Sequence, residues 1–173
     1  MKLLKWVRFT WDLTKFTSPE VKLPAHYRIA PATAEDEMAL RKVFSSSFLL
    51  DPTWNPAIGH VMQTIQSRLD AALASANCTC LALRHGTRII GAAVLDPDPN
   101  SEDQLLPGPS ISIEYRNRGF GTLLLESSLI WLREAGLTRA SALSLDYAPA
   151  AKFLYPKFSG VSSVAARMTL LAA

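Results

Sequence analysis

Two cysteines and three histidines are all that 173 residues offer for metal or thiol chemistry. His26, His60 and His85 are scattered, so no combination has the spacing of a metal centre. Cys78 and Cys80 stand one residue apart in a strand-like run, where both would point to one face, too constrained for an ordinary disulfide. Buried, reduced thiols are the expectation. No apolar run reaches the ~20 residues of a membrane span. The opening Met1-Lys2-Leu3-Leu4-Lys5 is basic and apolar, but Arg8 and Asp12 interrupt a signal-peptide core, and a cytoplasmic location is the default reading. Lys/Arg runs and aromatic–basic alternation are missing too. The net charge of +3 is spread along the chain, so nucleic acid is not implied.

What remains is a globular composition, 49% apolar, with enough chain for one domain and a core. Its most informative stretch is Arg116-Asn117-Arg118-Gly119-Phe120-Gly121. Ser110-Ile111-Ser112-Ile113 before it alternates as a strand does. Thr122 to Ala135 after it is Leu-rich, free of Pro and Gly, and stops at Gly136. A strand, a glycine turn and a helix start leave backbone N–H groups converging on one spot, with the helix dipole adding positive potential. Gly119 and Gly121 let a ligand approach the backbone, and Arg116 and Arg118 add charge. An anion belongs there. Leu124 stands where a dinucleotide fingerprint needs a third small residue, and the Gly-Lys-Ser/Thr ending of a P-loop is absent.

Around that turn the chain reads as a series of short elements. Residues 1–23 form an N-terminal extension in which Val7, Phe9, Trp11 and Leu13 alternate with polar residues. A strand is favoured there, with a short helix through Leu3, Leu4, Val7 and Trp11 as the competing pattern. Its two tryptophans imply packing on the domain or on a partner subunit, so a homodimer is one expected assembly. Residues 24–173 read as a single domain. His26 to Ala30 is its first strand, and Thr33-x-x-Asp36 resembles a capping box opening a helix with Leu40, Val43, Phe44 and Phe48 on one side. Asn55-Pro56 reads as an N-cap with proline at the first helical position, followed by Ile58, Val61, Met62, Ile65, Leu69 and Leu73 at helical spacing. Cys78–Leu83 and Arg88–Leu95 form a hairpin, which makes His85 a turn residue. Asp96 to Asp103 is an exposed acidic loop in which Glu102 and Asp103 are solvated charges. The next strand, from near Leu105, is broken by Pro107-Gly108-Pro109. Ala140–Leu145 is a strand, Pro149–Leu154 a short helix and Val164–Leu171 a last strand.

Arg116, Gly119 and Gly121 fill the fixed positions of Q/R-x-x-G-x-G/A, and the run resembles the acetyl-coenzyme A (acetyl-CoA) signature of the GNAT N-acetyltransferase superfamily. The resemblance extends from about Tyr27 to the C-terminus. It implies an α/β (α+β) fold with a mixed, largely antiparallel central sheet flanked by helices. The domain's fourth and fifth strands would splay into a V, and Pro107-Gly108-Pro109 falls where such a distortion helps. The resemblance also implies acetyl-CoA as acyl donor, with no metal. The pantetheine arm would bind the backbone of Ile111, Ser112 and Ile113. The pyrophosphate would bind at Arg116, Asn117, Arg118, Gly119, Phe120, Gly121 and Thr122.

Ala151-Lys152-Phe153-Leu154-Tyr155 fits the Ala-to-Tyr part of a second family element, N-x-x-A-x-x-x-Y. This implies Tyr155 as the general acid for the departing thiolate, with Tyr147 as its rival. Asp146, at the end of the fifth strand, is the candidate base, and Glu114 reads as structural. Ala148 stands where the family often has Asn, Pro156 follows the tyrosine directly, and Ser159-Gly160 replaces Gly-Phe. The implied reaction is acetyl transfer to a primary amine of a small molecule or peptide, by direct attack on the thioester. The alternatives are a non-catalytic acyl-CoA binding or sensing domain, and an unrelated phosphate-binding or scaffold domain. Trp54 and His60 fall in the region that would line an acceptor pocket.

Overall fold

In the computed structural model, which describes residues 4–18 and 22–165, the first regular element is the strand β1 (Trp6–Asp12). It is followed by β2 (Tyr27–Pro31), α1 (Glu37–Leu49), α2 (Ile58–Ala74), β3 (Thr79–His85), β4 (Arg88–Leu95), β5 (Ser110–Ile111), α3 (Phe120–Glu134), β6 (Arg139–Leu145) and β7 (Val161–Val164). The last strand expected from the sequence therefore begins earlier, and the part of that expectation beyond residue 165 lies outside the described residues.

The strands form two ribbons. One runs β2-β3-β4-β5 and the other β6-β1-β7, every pairing within them antiparallel. They meet at Leu105, which bridges Leu95 in antiparallel fashion and Ala142 in parallel fashion, its N–H 3.0 Å from the Ser141 carbonyl. Past that point the chain follows β4 while β6 follows β1. Pro107 and Pro109 have no N–H to give a ladder, so nothing closes the gap and a V opens between β5 and β6. This is the splayed, largely antiparallel sheet expected from the sequence. The strand expected over Ser110–Ile113 is shorter, because Ile113–Tyr115 curl into a 3₁₀ turn.

The N-terminal segment is no appendage. β1 is the middle strand of its ribbon, paired with β6 from Trp6↔Leu145 to Asp12↔Arg139 and with β7 on its other side. Both of its faces are covered. Val7, Phe9 and Trp11 join the core under α3 with Leu124, Leu125 and Leu129, while Trp6 joins the core under α1 and α2 with Leu40, Phe44 and Leu69. Double coverage is why Trp6 and Val7 are both buried despite facing opposite ways.

Arg8, on the same face as Trp6, donates to Asp103 through Nε (2.8 Å) and Nη2 (3.2 Å). Asp103 is buried, so the solvated charge expected in the acidic loop is half of an ion pair, and the protein loses about 3–5 kcal/mol if one partner is removed. A loop rich in acids looks solvated when its partner is 95 residues away in sequence.

The two helices near the front of the domain begin differently from their sequence signals. Asp36 Oδ2 accepts the Thr33 N–H at 2.9 Å, as a capping box requires, but one 3₁₀ turn precedes α1. Asn55-Pro56 lies inside a 3₁₀ segment (Pro52–Ala57), capped instead by Asp51, which accepts the Thr53 N–H at 3.0 Å. Cys80 is buried, and Cys78 is half-buried; both thiols are free. Burial, with Cys78 nearby, pushes the Cys80 thiol up to about 12, so it stays protonated and inert at neutral pH.

Candidate functional site

The V opens into a cavity of about 360 Å³ whose walls come from segments far apart in the chain, from Trp6 to Lys157. One wall is Leu106 to Ile111, and Leu143 and Ser144 of β6 face it. Arg116, Asn117 and Gly119 of the turn and the start of α3 supply further lining, as do Trp6, the end of α1 and the first turns of α2.

At the turn, Asn117 (φ 61°) and Gly119 (φ 84°) both take the left-handed conformation. Asparagine tolerates it and glycine takes it without strain, which lets three residues reverse the chain into α3. The first hydrogen bond of that helix runs from Leu123 N–H to the Gly119 carbonyl (3.2 Å), so Phe120, Gly121 and Thr122 have N–H groups without a helical acceptor. All three residues line the cavity, and a Cβ added at Gly119 would meet nothing within 4 Å. Lys157 also lines it, its Nζ 2.8 Å from Thr122 Oγ1. A helix N-terminus with open N–H groups, a glycine approach and an ammonium is an anion cradle. Lys157 was not legible as a cation of this cradle, since it lies 35 positions downstream of its partner and no spacing rule joins them.

The arginines of the turn do other work. Arg116 lines the cavity, but its guanidinium is committed: Nε donates to the Ile111 carbonyl (3.0 Å), Nη1 to Asp51 Oδ2 (3.0 Å) and Nη2 to the Ser47 carbonyl (2.7 Å). It clamps the turn to α1 and the loop after it. Burial opposes ionisation of Asp51, yet the bonds from Thr53 and Arg116 outweigh it and hold the carboxyl below the usual carboxylate range. Arg118 is exposed and lies over the Tyr115 ring, 5.4 Å from its centroid, outside the cavity lining.

Of the strand backbone expected to face a ligand, one residue turns inward. Ser112 donates its N–H to the Ile90 carbonyl (2.8 Å), and Ser110 is paired opposite Ala92. Alternation along an antiparallel ladder then aims the N–H of Ile111 away from β4, and Ile111 lines the cavity. Ser112 and Ile113 are not among the lining residues.

Tyr155 is buried in the core and also reaches the cavity wall. Its ring packs on Phe9 (5.5 Å between centroids) and edge-on against Trp11 (5.6 Å), both from β1. Its hydroxyl lies against the backbone of Gly108, where any side chain would collide with it. The turn that carries it is wide, with Tyr155 N–H reaching back to the Ala150 carbonyl at 2.8 Å, and ends at Pro156. Burial, with the Asp103 charge adding to it, raises the phenol above its ordinary value.

Asp146 is elsewhere. It sits half-exposed at the end of β6, 4.0 Å from Lys5, and does not line the cavity; Tyr147 packs beside the core under α1 and α2. Glu114 is an exposed partner of Arg88, as its structural reading expected. His85 ends β3, stacked on Tyr27 at 4.4 Å. His60 does line the cavity, its Nε2 3.2 Å from Thr64 Oγ1. Among the described residues no group of three or more His, Cys, Asp or Glu could hold a metal, and no helix is long and apolar enough to cross a membrane.

Residues 49–160 match the family model described as the acetyltransferase (GNAT) family. A search of curated proteins gives no match. Similar solved structures include a Drosophila protein (13% identity, TM-score 0.62) that aligns over 92% of this chain and 48% of its own. GCN5-related N-acetyltransferases from Sphaerobacter thermophilus (13%, 0.60, 94% and 50%) and Kribbella flavida (14%, 0.57, 92% and 55%) are similar as well. At these identities the likeness is one of fold. The chain spans about half the length of these structures.

Proposed function

This chain belongs to the GNAT acetyltransferase family, and we propose that it is an acetyl-CoA-dependent N-acetyltransferase acting on a primary amine. The observation that carries the reading is the convergence, in one cavity, of the open N–H groups of Phe120, Gly121 and Thr122 with the inward-facing Ile111 and with Tyr155. The residues fit the donor. Phe120 to Thr122, Gly119 and Lys157 would hold its pyrophosphate, and Ile111 its pantetheine end. When bound, acetyl-CoA supplies an acyl group activated as a thioester.

The protein's own groups then have separable duties. The Ile111 N–H is a donor for the acyl carbonyl, where negative charge grows during attack. Walls on both sides of the V hold amine and thioester together, which supplies much of the acceleration. Tyr155 keeps its proton because burial disfavours the phenolate, so it donates to the departing sulfur. The amine must lose a proton, and His60 is the acceptor we assign, since it lines the cavity and Asp146 does not. Replacing His60 by Ala is expected to lower kcat by about 10–100-fold, with partial recovery on adding imidazole to the assay. A loss without rescue would make the residue a packing element.

The reading is tested by calorimetry with CoA and by following thiol release with an amine panel. Gly121→Trp places a large side chain in the cradle and is expected to weaken CoA binding by about 50-fold with the circular dichroism spectrum unchanged. Unaltered affinity would move the donor site elsewhere. Tight CoA binding with no thiol release toward any amine would favour an acyl-CoA sensor.

A further inference from the structure

Part of the cavity wall is built of rings. Trp54, in the loop between α1 and α2, stands 6.5 Å from Trp6 and 5.0 Å from Phe48, centroid to centroid, and all three line the cavity. Val61 and Ile65 of α2 complete that wall, where His60 and Thr64 are the polar side chains of the helix. The three rings come from three different elements, so packing holds them and not a local loop.

Charge is distributed just as unevenly. Among the described residues lining the cavity, Asp51 is the one carboxylate, and it is engaged by Arg116 and by the Thr53 N–H. Arg116 and Lys157 line the same cavity, which therefore carries more cation than anion. A polyamine, an amino sugar or a Lys-rich peptide would bring several ammonium groups with no carboxylate to receive them, and unpaired charge in an apolar wall is strongly disfavoured. A single amine on a flat apolar body avoids that penalty. It buries its ring against Trp6, Phe48 and Trp54, and before deprotonation its ammonium is stabilised by the π faces.

Resting on the acetyltransferase reading, we propose that the acceptor is an aromatic monoamine whose ring seats on Trp6, Phe48 and Trp54. The proposal makes Trp54 a specificity residue. The test compares kcat/KM for 2-phenylethylamine, n-hexylamine, spermidine and a lysine-containing peptide, and measures 2-phenylethylamine binding directly by calorimetry. The aromatic amine is expected to exceed hexylamine by at least tenfold and spermidine and the peptide by more. Trp54→Ala should shrink the aromatic-over-aliphatic ratio to within about threefold, chiefly through KM, and Trp54→Phe should restore most of it. Preference for spermidine or the peptide, or equal rates with hexylamine, overturns the proposal. So does a ratio that Trp54→Ala leaves intact. If no amine releases thiol but 2-phenylethylamine still binds and Trp54→Ala weakens it at least tenfold, the pocket assignment stands and the transferase reading fails. Absence of any 2-phenylethylamine binding overturns the pocket assignment itself.

Discussion

Removal of residues 1–16 is expected to yield a chain that no longer folds cooperatively. Six side chains in that segment, Trp6, Val7, Phe9, Trp11, Leu13 and Phe16, are buried. At about 1.5–3 kcal/mol each, their loss reaches about 9 kcal/mol at the low end, comparable to the roughly 5–15 kcal/mol that holds a whole domain together. The deletion also strips β6 and β7 of their common partner and leaves Asp103 without Arg8. The measurement is denaturant unfolding followed by near-ultraviolet circular dichroism. A truncated chain with a sharp transition near that of the full protein would show that the segment is dispensable. An extension read as an arm would instead leave a stable body behind, so the two outcomes separate cleanly.

Tyr155→Phe is expected to lower kcat by about 10²–10³-fold, while CoA affinity stays within twofold and stability changes by no more than about 1 kcal/mol. The ring stays packed on Phe9 and Trp11, so only the hydroxyl beside Gly108 is lost. The sign of its pH behaviour follows from burial. A phenol raised above its ordinary value stays protonated below about pH 10, so Tyr155 should give kcat no basic limb there. The unfolded chain would ionise this phenol first. Its contribution to stability is therefore full below about pH 10 and is lost as the pH rises from there through the folded-state value. An unchanged kcat in Tyr155→Phe would shift proton donation to water or to another group.

Both predictions turn on β1, which ties stability to chemistry. The strand that supplies the core with Phe9 and Trp11 also sets the ring of Tyr155 between them. Trp11 Nε1 further donates to the Lys157 carbonyl at 3.0 Å, which anchors the segment whose ammonium lies at the anion cradle. Trp6, on the opposite face, lines the same cavity.

The anion cradle and its helix were legible because they are local. A left-handed glycine, a helix start and its unpaired N–H groups lie within a few residues of one another, and the geometry follows from backbone rules alone. Helical spacing likewise identified the buried faces of α1 and α2, and the prolines after Leu105 marked where the sheet opens. Tyr155 was legible through a pattern of residues four apart, though its burial was not. What only the tertiary structure decided is pairing between distant segments. Alternation in residues 7–13 indicates a strand but carries no information on which strands flank it, because ladder hydrogen bonds are blind to sequence separation. The same holds for charge: Arg116 reads as a phosphate ligand until Asp51 and the Ser47 carbonyl are brought to it, and Asp103 reads as solvated until Arg8 arrives. The sequence alone thus determined the glycine turn and helix start whose open N–H groups we propose hold an anion. The closing of the chain around β1 decided which side chains surround that turn and line the rest of the cavity.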